Sequence, residues 1–250
     1  MPLLLQLLAF AATLVCLVAL SRWIARQVQV IGLHLTGNAE AALMAYYLLL
    51  LPGILLHELS HVAVARLLGL KVGRFTLGPR KRGRVVELGS VTISSGGTLA
   101  DSLVGLAPFL VGTAVLVGVS YWAFDVAALG RAWMAAGWGG IWRGLDGIWL
   151  VPDFWLWAYV VFVVSNAMTP SSADRQPWLM AGIYLGAALT LAYLLGGLPG
   201  LPASLAGQVA GVLQMLTLAF LFTVGIDALA AAALLLLEAV ILACQGRHRA

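Results

Sequence analysis

Two histidines one helical turn apart, with a glutamate directly after the first, form the stretch of this chain best suited to chemistry: His57-Glu58-Leu59-Ser60-His61. On a helix, positions i and i+4 share a face, so both imidazoles can hold one divalent ion. Glu58 beside them can act as general base toward water, the arrangement of zinc-dependent hydrolysis. With four histidines and four glutamates in 250 residues, chance supplies only about 0.001 such matches. From Ala41 to Ala65, Glu58 is the sole formally charged side chain. In hydrocarbon, two imidazoles and a carboxylate are costly unless they are paired, hydrated or bound to a metal.

A catalytic zinc takes three protein ligands and keeps one position open, so a third ligand must come from elsewhere. His34 and His248 lie outside the apolar runs, while Asp101, Asp174, Asp227 and Glu238 lie in or near them. Asp174 stands out because it closes a polar stretch, from Asn166 through Pro170, that directly follows an apolar run. Irregular backbone at membrane depth is tolerated where it lines a cavity. The same stretch also reads as an ordinary cytoplasmic turn. For Asp227 and Glu238, gating, a helix–helix hydrogen bond and, at Glu238, interfacial exposure are all open.

The elements that must position these groups are membrane helices. The chain is 62% hydrophobic and 10% charged, against about 25% charged residues in a soluble domain, and its mean hydropathy is +1.00. We expect an all-α polytopic membrane protein with about six transmembrane helices and a small β-hairpin insertion after the second. The expected spans are about 3–23, 41–68, 99–124, 154–168 and 178–198, with 205–243 crossing once or twice around Gly225-Ile226-Asp227. The first span follows Met1 without a basic leader region and reads as a retained helix. Pro52-Gly53 should bend the second, and Thr98 or Asp101 should cap the third.

Short strands are expected at 72–77, 84–88 and 90–94 around the turn 78–83. Trp133, Trp138, Trp142 and Trp149, interleaved with glycine, suit an interfacial hairpin or re-entrant segment. Gly182/Gly186 and Gly207/Gly211 have the small-xxx-small spacing of close helix packing. No repeat or soluble accessory domain interrupts what reads as a single membrane domain over 1–250, with its core at about 41–175. Seven of the 14 basic residues fall between Arg66 and Arg84. That cluster marks a cytoplasmic loop in which Arg80, Lys81, Arg82 and Arg84 can meet anionic headgroups. No nucleic-acid-binding module surrounds it. Cys16 and Cys244 suggest neither a metal motif nor a disulfide framework.

Taken together, these residues resemble the site-2 protease family of intramembrane zinc metalloproteases, which pairs HExxH in one helix with a later Asn-x-x-Pro…Asp-Gly segment. His57, Glu58 and His61 match the first motif, and Asn166 and Asp174 keep the eight-residue separation of the second. Thr169 stands where the family has proline, which here falls at Pro170, and Arg175 replaces the glycine. The resemblance implies one zinc ion per chain on His57, His61 and Asp174, Glu58 as catalytic base, and Asn166 on the substrate backbone. It further implies a multi-pass protein, with its active site toward the cytoplasmic side, that cuts transmembrane segments of other membrane proteins. Lacking PDZ-like and CBS-like insertions, the chain looks like the compact form, which suggests a prokaryotic inner membrane. The alternatives are a catalytically silent relative acting as a membrane scaffold or complex subunit, and a transporter with a polar midplane site.

Overall fold

The computed structural model describes residues 3–82, 85–169, 171, 174–176, 178, 182–184, 186–187, 190–191 and 203–247. They form helices α1 (Leu3–Thr36) and α2 (Ala39–Leu67), strands β1 (Val72–Arg82) and β2 (Val85–Ile93), and helices α3 (Thr98–Trp122), α4 (Val126–Ile148), α5 (Phe154–Ala167) and α6 (Ala203–Arg247). Among the described residues, α1, α2, α3 and most of α6 are long and apolar enough to cross a bilayer. At 1.5 Å per residue, the 14-residue α5 reaches only about 21 Å. The expected span at 178–198 lies largely outside the described residues; those described at 182–184, 186–187 and 190–191 are helical.

Two compact units emerge. The first comprises 1–53, 114–167 and 213–250, and the second 54–113 and 168–212. In the first, α1 buries the stripe Leu17, Ser21, Ile24 and Ile31, spaced for one face of a helix. Arg22 and Arg26 lie off this stripe on exposed positions, so α1 continues past them to Thr36. Glycine sets the close approaches. A Cβ on Gly32 would lie 2.8 Å from that of Ala42, and one on Gly53 only 2.2 Å from the Val163 carbonyl oxygen. At Gly182, Gly186, Gly207 and Gly211 an added Cβ would meet no described atom within 4 Å, so the small-xxx-small pairs mark no close packing among the described residues. Pro52 lies inside α2, and the Tyr159 hydroxyl donates to the nearby Leu49 carbonyl at 2.9 Å.

α6 is one uninterrupted helix of 45 residues. Asp227 does not break it: its fully buried carboxylate is met sideways at Oδ1, which accepts from Ser165 Oγ at 3.1 Å and Asn166 Nδ2 at 3.2 Å, while Oδ2 has no partner among the described residues. Glu238 accepts from Gln27 Nε2, a helix–helix hydrogen bond. The tryptophan-rich segment folds as α4, which reverses at Ala136–Gly137, where Gly137 takes φ 54. A Cβ on Gly140 would lie 1.9 Å from the Ala132 carbonyl oxygen, so the two arms press together. Trp138 and Trp142 are exposed on them.

In the second unit, β1 and β2 pair antiparallel, with Leu77 opposite Gly89 and Thr76 opposite Ser90. Of the expected turn at 78–83, residues 78–82 belong to β1, and Gly83 lies outside the described residues. Gly78 (φ 125) and Pro79 lie within β1, where the register slips between Leu77 and Arg80. A bulge accommodates both a positive φ and a residue without an N–H. The two strands expected at 84–88 and 90–94 are correspondingly one, β2. Arg84 lies outside the described residues, and only the backbone of Arg80, Lys81 and Arg82 is described. At the start of α3 the Gly97 carbonyl accepts from the Asp101 N–H. The Asp101 carboxylate reaches back to the Ser95 hydroxyl at 2.6 Å and the Gly96 N–H at 2.9 Å.

Candidate metal centre

The His57–His61 turn of α2 belongs to the second unit. The two imidazoles stand edge to face with centroids 4.9 Å apart, and their Nε2 atoms approach to 3.2 Å. Asp174 arrives on a separate segment whose backbone is set by Ser171. The Ser171 N–H donates to Asp174 Oδ2 at 2.7 Å, and the Asp174 N–H donates to Ser171 Oγ at 3.2 Å. This reciprocal pair is a capping box, written in the sequence as Ser171-Ser172-Ala173-Asp174. It aims the carboxylate at the histidines: Oδ1 lies 3.2 Å from His61 Nε2, and Oδ2 lies 3.6 Å from His57 Nε2.

These separations can be tested against a metal. Zinc–nitrogen and zinc–oxygen distances near 2.0–2.1 Å put neighbouring ligands of a tetrahedral ion about 3.3–3.4 Å apart. The Nε2–Nε2 edge, 3.2 Å, meets that value closely. The Asp174 carboxylate reaches His61 through Oδ1 at 3.2 Å and His57 through Oδ2 at 3.6 Å, and one ligand atom from each of the three residues lies within 4.8 Å of the others, so the set can converge on a single ion.

α3 buttresses both ligand segments. His61 Nδ1 lies 2.8 Å from the Val104 carbonyl oxygen. A carbonyl only accepts, so Nδ1 carries a proton, and the neutral imidazole so held presents its Nε2 lone pair to the other ligands. One residue along, a Cβ on Gly105 would lie 2.2 Å from the Asp174 carbonyl oxygen, and two turns further one on Gly112 would lie 2.7 Å from Met168 Cβ. The glycine face of α3 thus receives the segment that carries Asp174.

The donor set itself favours a cation. An Nε2 lone pair and a carboxylate converge, and without a proton or a metal between them they repel. Burial pushes the Asp174 carboxyl up, but hydrogen bonds from His57, His61 and Ser171, with the charge of His61, outweigh it and hold the group below the usual carboxylate range. The ionised form is the one that ligates. The side chains keep 10–12% exposure.

Glu58 is buried at 7% exposure, and β2 passes against it: a Cβ on Gly89 would lie 2.8 Å from Glu58 Oε1. Asn166 belongs to the first unit. Its amide donates to the Phe162 carbonyl at 2.9 Å and to Ser165 Oγ and Asp227 Oδ1 at 3.2 Å. A substrate contact there would have to displace these bonds or use Asn166 Oδ1, which is buried and has no partner among the described residues. The structure therefore brings together His57, His61 and Asp174, with Gly89 against Glu58. Val104, Gly105 and Gly89 carry no sequence signal of their own for these contacts, whereas Ser171 carries one in its S-x-x-D spacing.

No protein-family model, curated protein or solved structure matches this chain.

Proposed function

We propose that the chain is an intramembrane zinc endopeptidase that hydrolyses peptide bonds in or beside transmembrane segments of other membrane proteins. The observation that carries this reading is the convergence of His57 Nε2, His61 Nε2 and the Asp174 carboxylate at contacts of 3.2–3.6 Å, with Glu58 next to His57 in the chain. Zinc, when bound, would supply Lewis acidity, acidifying water and polarising the scissile carbonyl. His57, His61 and Asp174 would hold the ion. Glu58 takes a proton from the attacking water as oxygen adds to the peptide carbonyl. It returns that proton to the amide nitrogen as the C–N bond breaks, leaving a carboxylic acid and an amine, between which the remaining water proton passes to give the carboxylate and the ammonium.

A helical substrate hides its amides and must unwind locally to be cut. In this reading the hairpin receives the unwound strand by edge addition. A peptide laid along β2 would run near Glu58, because Gly89 lies against that carboxylate. The same reading has the chain crossing a prokaryotic inner membrane about six times. The Arg66–Arg84 loop and the centre face the cytoplasm, and Arg80, Lys81, Arg82 and Arg84 meet anionic headgroups.

The test is to purify the protein, quantify zinc, and assay a panel of transmembrane substrates with wild type and Glu58→Gln. We expect one zinc per chain in both and cleavage only by wild type. Cleavage indifferent to Glu58 overturns the proposal; absence of metal, or of cleavage by wild type, overturns it and leaves a silent scaffold.

A further inference from the structure

The Val104 carbonyl that receives His61 lies in the middle of a helix, where carbonyls are ordinarily already engaged. Within α3 its donor would be the N–H of residue 108, four positions on. Residue 108 is proline, inside the helix, and proline has no N–H. The surroundings offer no solvent as a substitute: Val104 is 8% exposed and Ala107 is fully buried. His61 Nδ1, at 2.8 Å, fills the vacant place.

We propose that Pro108 is a positioning residue for the metal centre. By withholding an N–H, it reserves the Val104 carbonyl for the Nδ1–H of His61. That bond fixes the tautomer whose Nε2 lone pair faces His57 and Asp174. The inference rests on the metal-centre reading above. It adds that a helix-breaking residue is retained in α3 for what it leaves unbonded. Gly105, on the same turn, admits the Asp174 backbone, so residues 104–108 of α3 support two ligands together.

Pro108→Ala and Pro108→Gly both restore the N–H at 108 but differ in helix propensity. An effect of the N–H is common to the two, whereas an effect of helix stability separates them. Zinc affinity is measured by chelator competition, and the His61 tautomer by ¹⁵N NMR of the metal-free protein at a pH at which the imidazole is neutral. In wild type we expect the Nδ1–H form. In both variants we expect a shift toward the Nε2–H form and zinc affinity weakened roughly 10-fold, the low end for loss of a ligand's hydrogen-bond partner. The alanine variant should be at least as stable as wild type. Unchanged affinity and tautomer in the variants, or an Nε2–H tautomer in wild type, overturns the role of Pro108 while leaving the metal centre standing. A wild type that binds no zinc overturns both.

Discussion

Placing alanine at Gly89 is the sharpest perturbation of the hairpin, because this strand residue lies against the general base. An added Cβ would lie 2.8 Å from Glu58 Oε1, 2.9 Å from Cγ and 3.0 Å from Cδ. The strand has little room to retreat. Leu77 pairs with Gly89 and Thr76 with Ser90, and the hydroxyls of Thr76 and Ser90 are 2.8 Å apart. Glu58 must therefore give way. Moving Oε1 from 2.8 Å to 3.4 Å, the near edge of ordinary contact, takes about 0.6 Å. A 1 Å misplacement at a reacting centre costs about 100-fold in rate, so 0.6 Å scales to roughly 10- to 20-fold in kcat.

The assay is steady-state cleavage of a transmembrane substrate in proteoliposomes, with zinc counted in the same preparations. Gly89→Ala should lower kcat with KM and zinc content unchanged. Gly73→Ala is the control on the same hairpin, since its Cβ would meet Thr92 at 3.4 Å, an ordinary contact; it should stay within about 2-fold of wild type. Wild-type kcat in Gly89→Ala, or an equal loss in Gly73→Ala, would refute the argument that β2 sets the position of Glu58.

Two further predictions concern the third ligand. Gly105→Ala aims a Cβ at a backbone atom, the Asp174 carbonyl oxygen at 2.2 Å, which no side-chain rotation relieves. Zinc affinity should fall at least about 10-fold, while Gly118→Ala, whose Cβ would meet no described atom within 4 Å, should leave it unchanged in the same chelator competition. The Asp174 carboxyl is held below its ordinary range, so in the metal-free protein its charged form contributes stability above the unfolded carboxylate value near 4. That contribution is lost as pH falls through the lowered native value. Denaturant titrations at a series of acidic pH values should therefore show a steeper loss of stability below about pH 4 in wild type than in Asp174→Asn; equal slopes would contradict the interactions assigned to Asp174.

What was legible in the sequence, and what was not, follows from where each interaction is written. His57 and His61 share a face because i and i+4 always do on a helix, so their half of the centre needs no tertiary knowledge. Asp174 could be singled out by the polar stretch that it closes, and the Ser171 spacing that orients it is likewise local. The hairpin was legible as strands but not in its turn, because Gly78 and Pro79 fit a bulge as well as a corner. The long final helix was ambiguous at Asp227, since an acid in an apolar run reads as a break until Ser165 and Asn166 come alongside it. Residue type also cannot separate the glycines that matter from the rest of the 28. Gly53, Gly89 and Gly105 are distinguished only by the carbonyl or carboxylate that tertiary folding brings against them. Val104 left no mark of its own, because its contribution is a backbone oxygen. Its trace lies four residues on, at Pro108. A proline inside an apolar helix announces an unpaired carbonyl one turn earlier, and in a membrane such a carbonyl needs a partner. Applied to α3, that rule turns a residue that reads only as a kink into a pointer toward the group that orients His61.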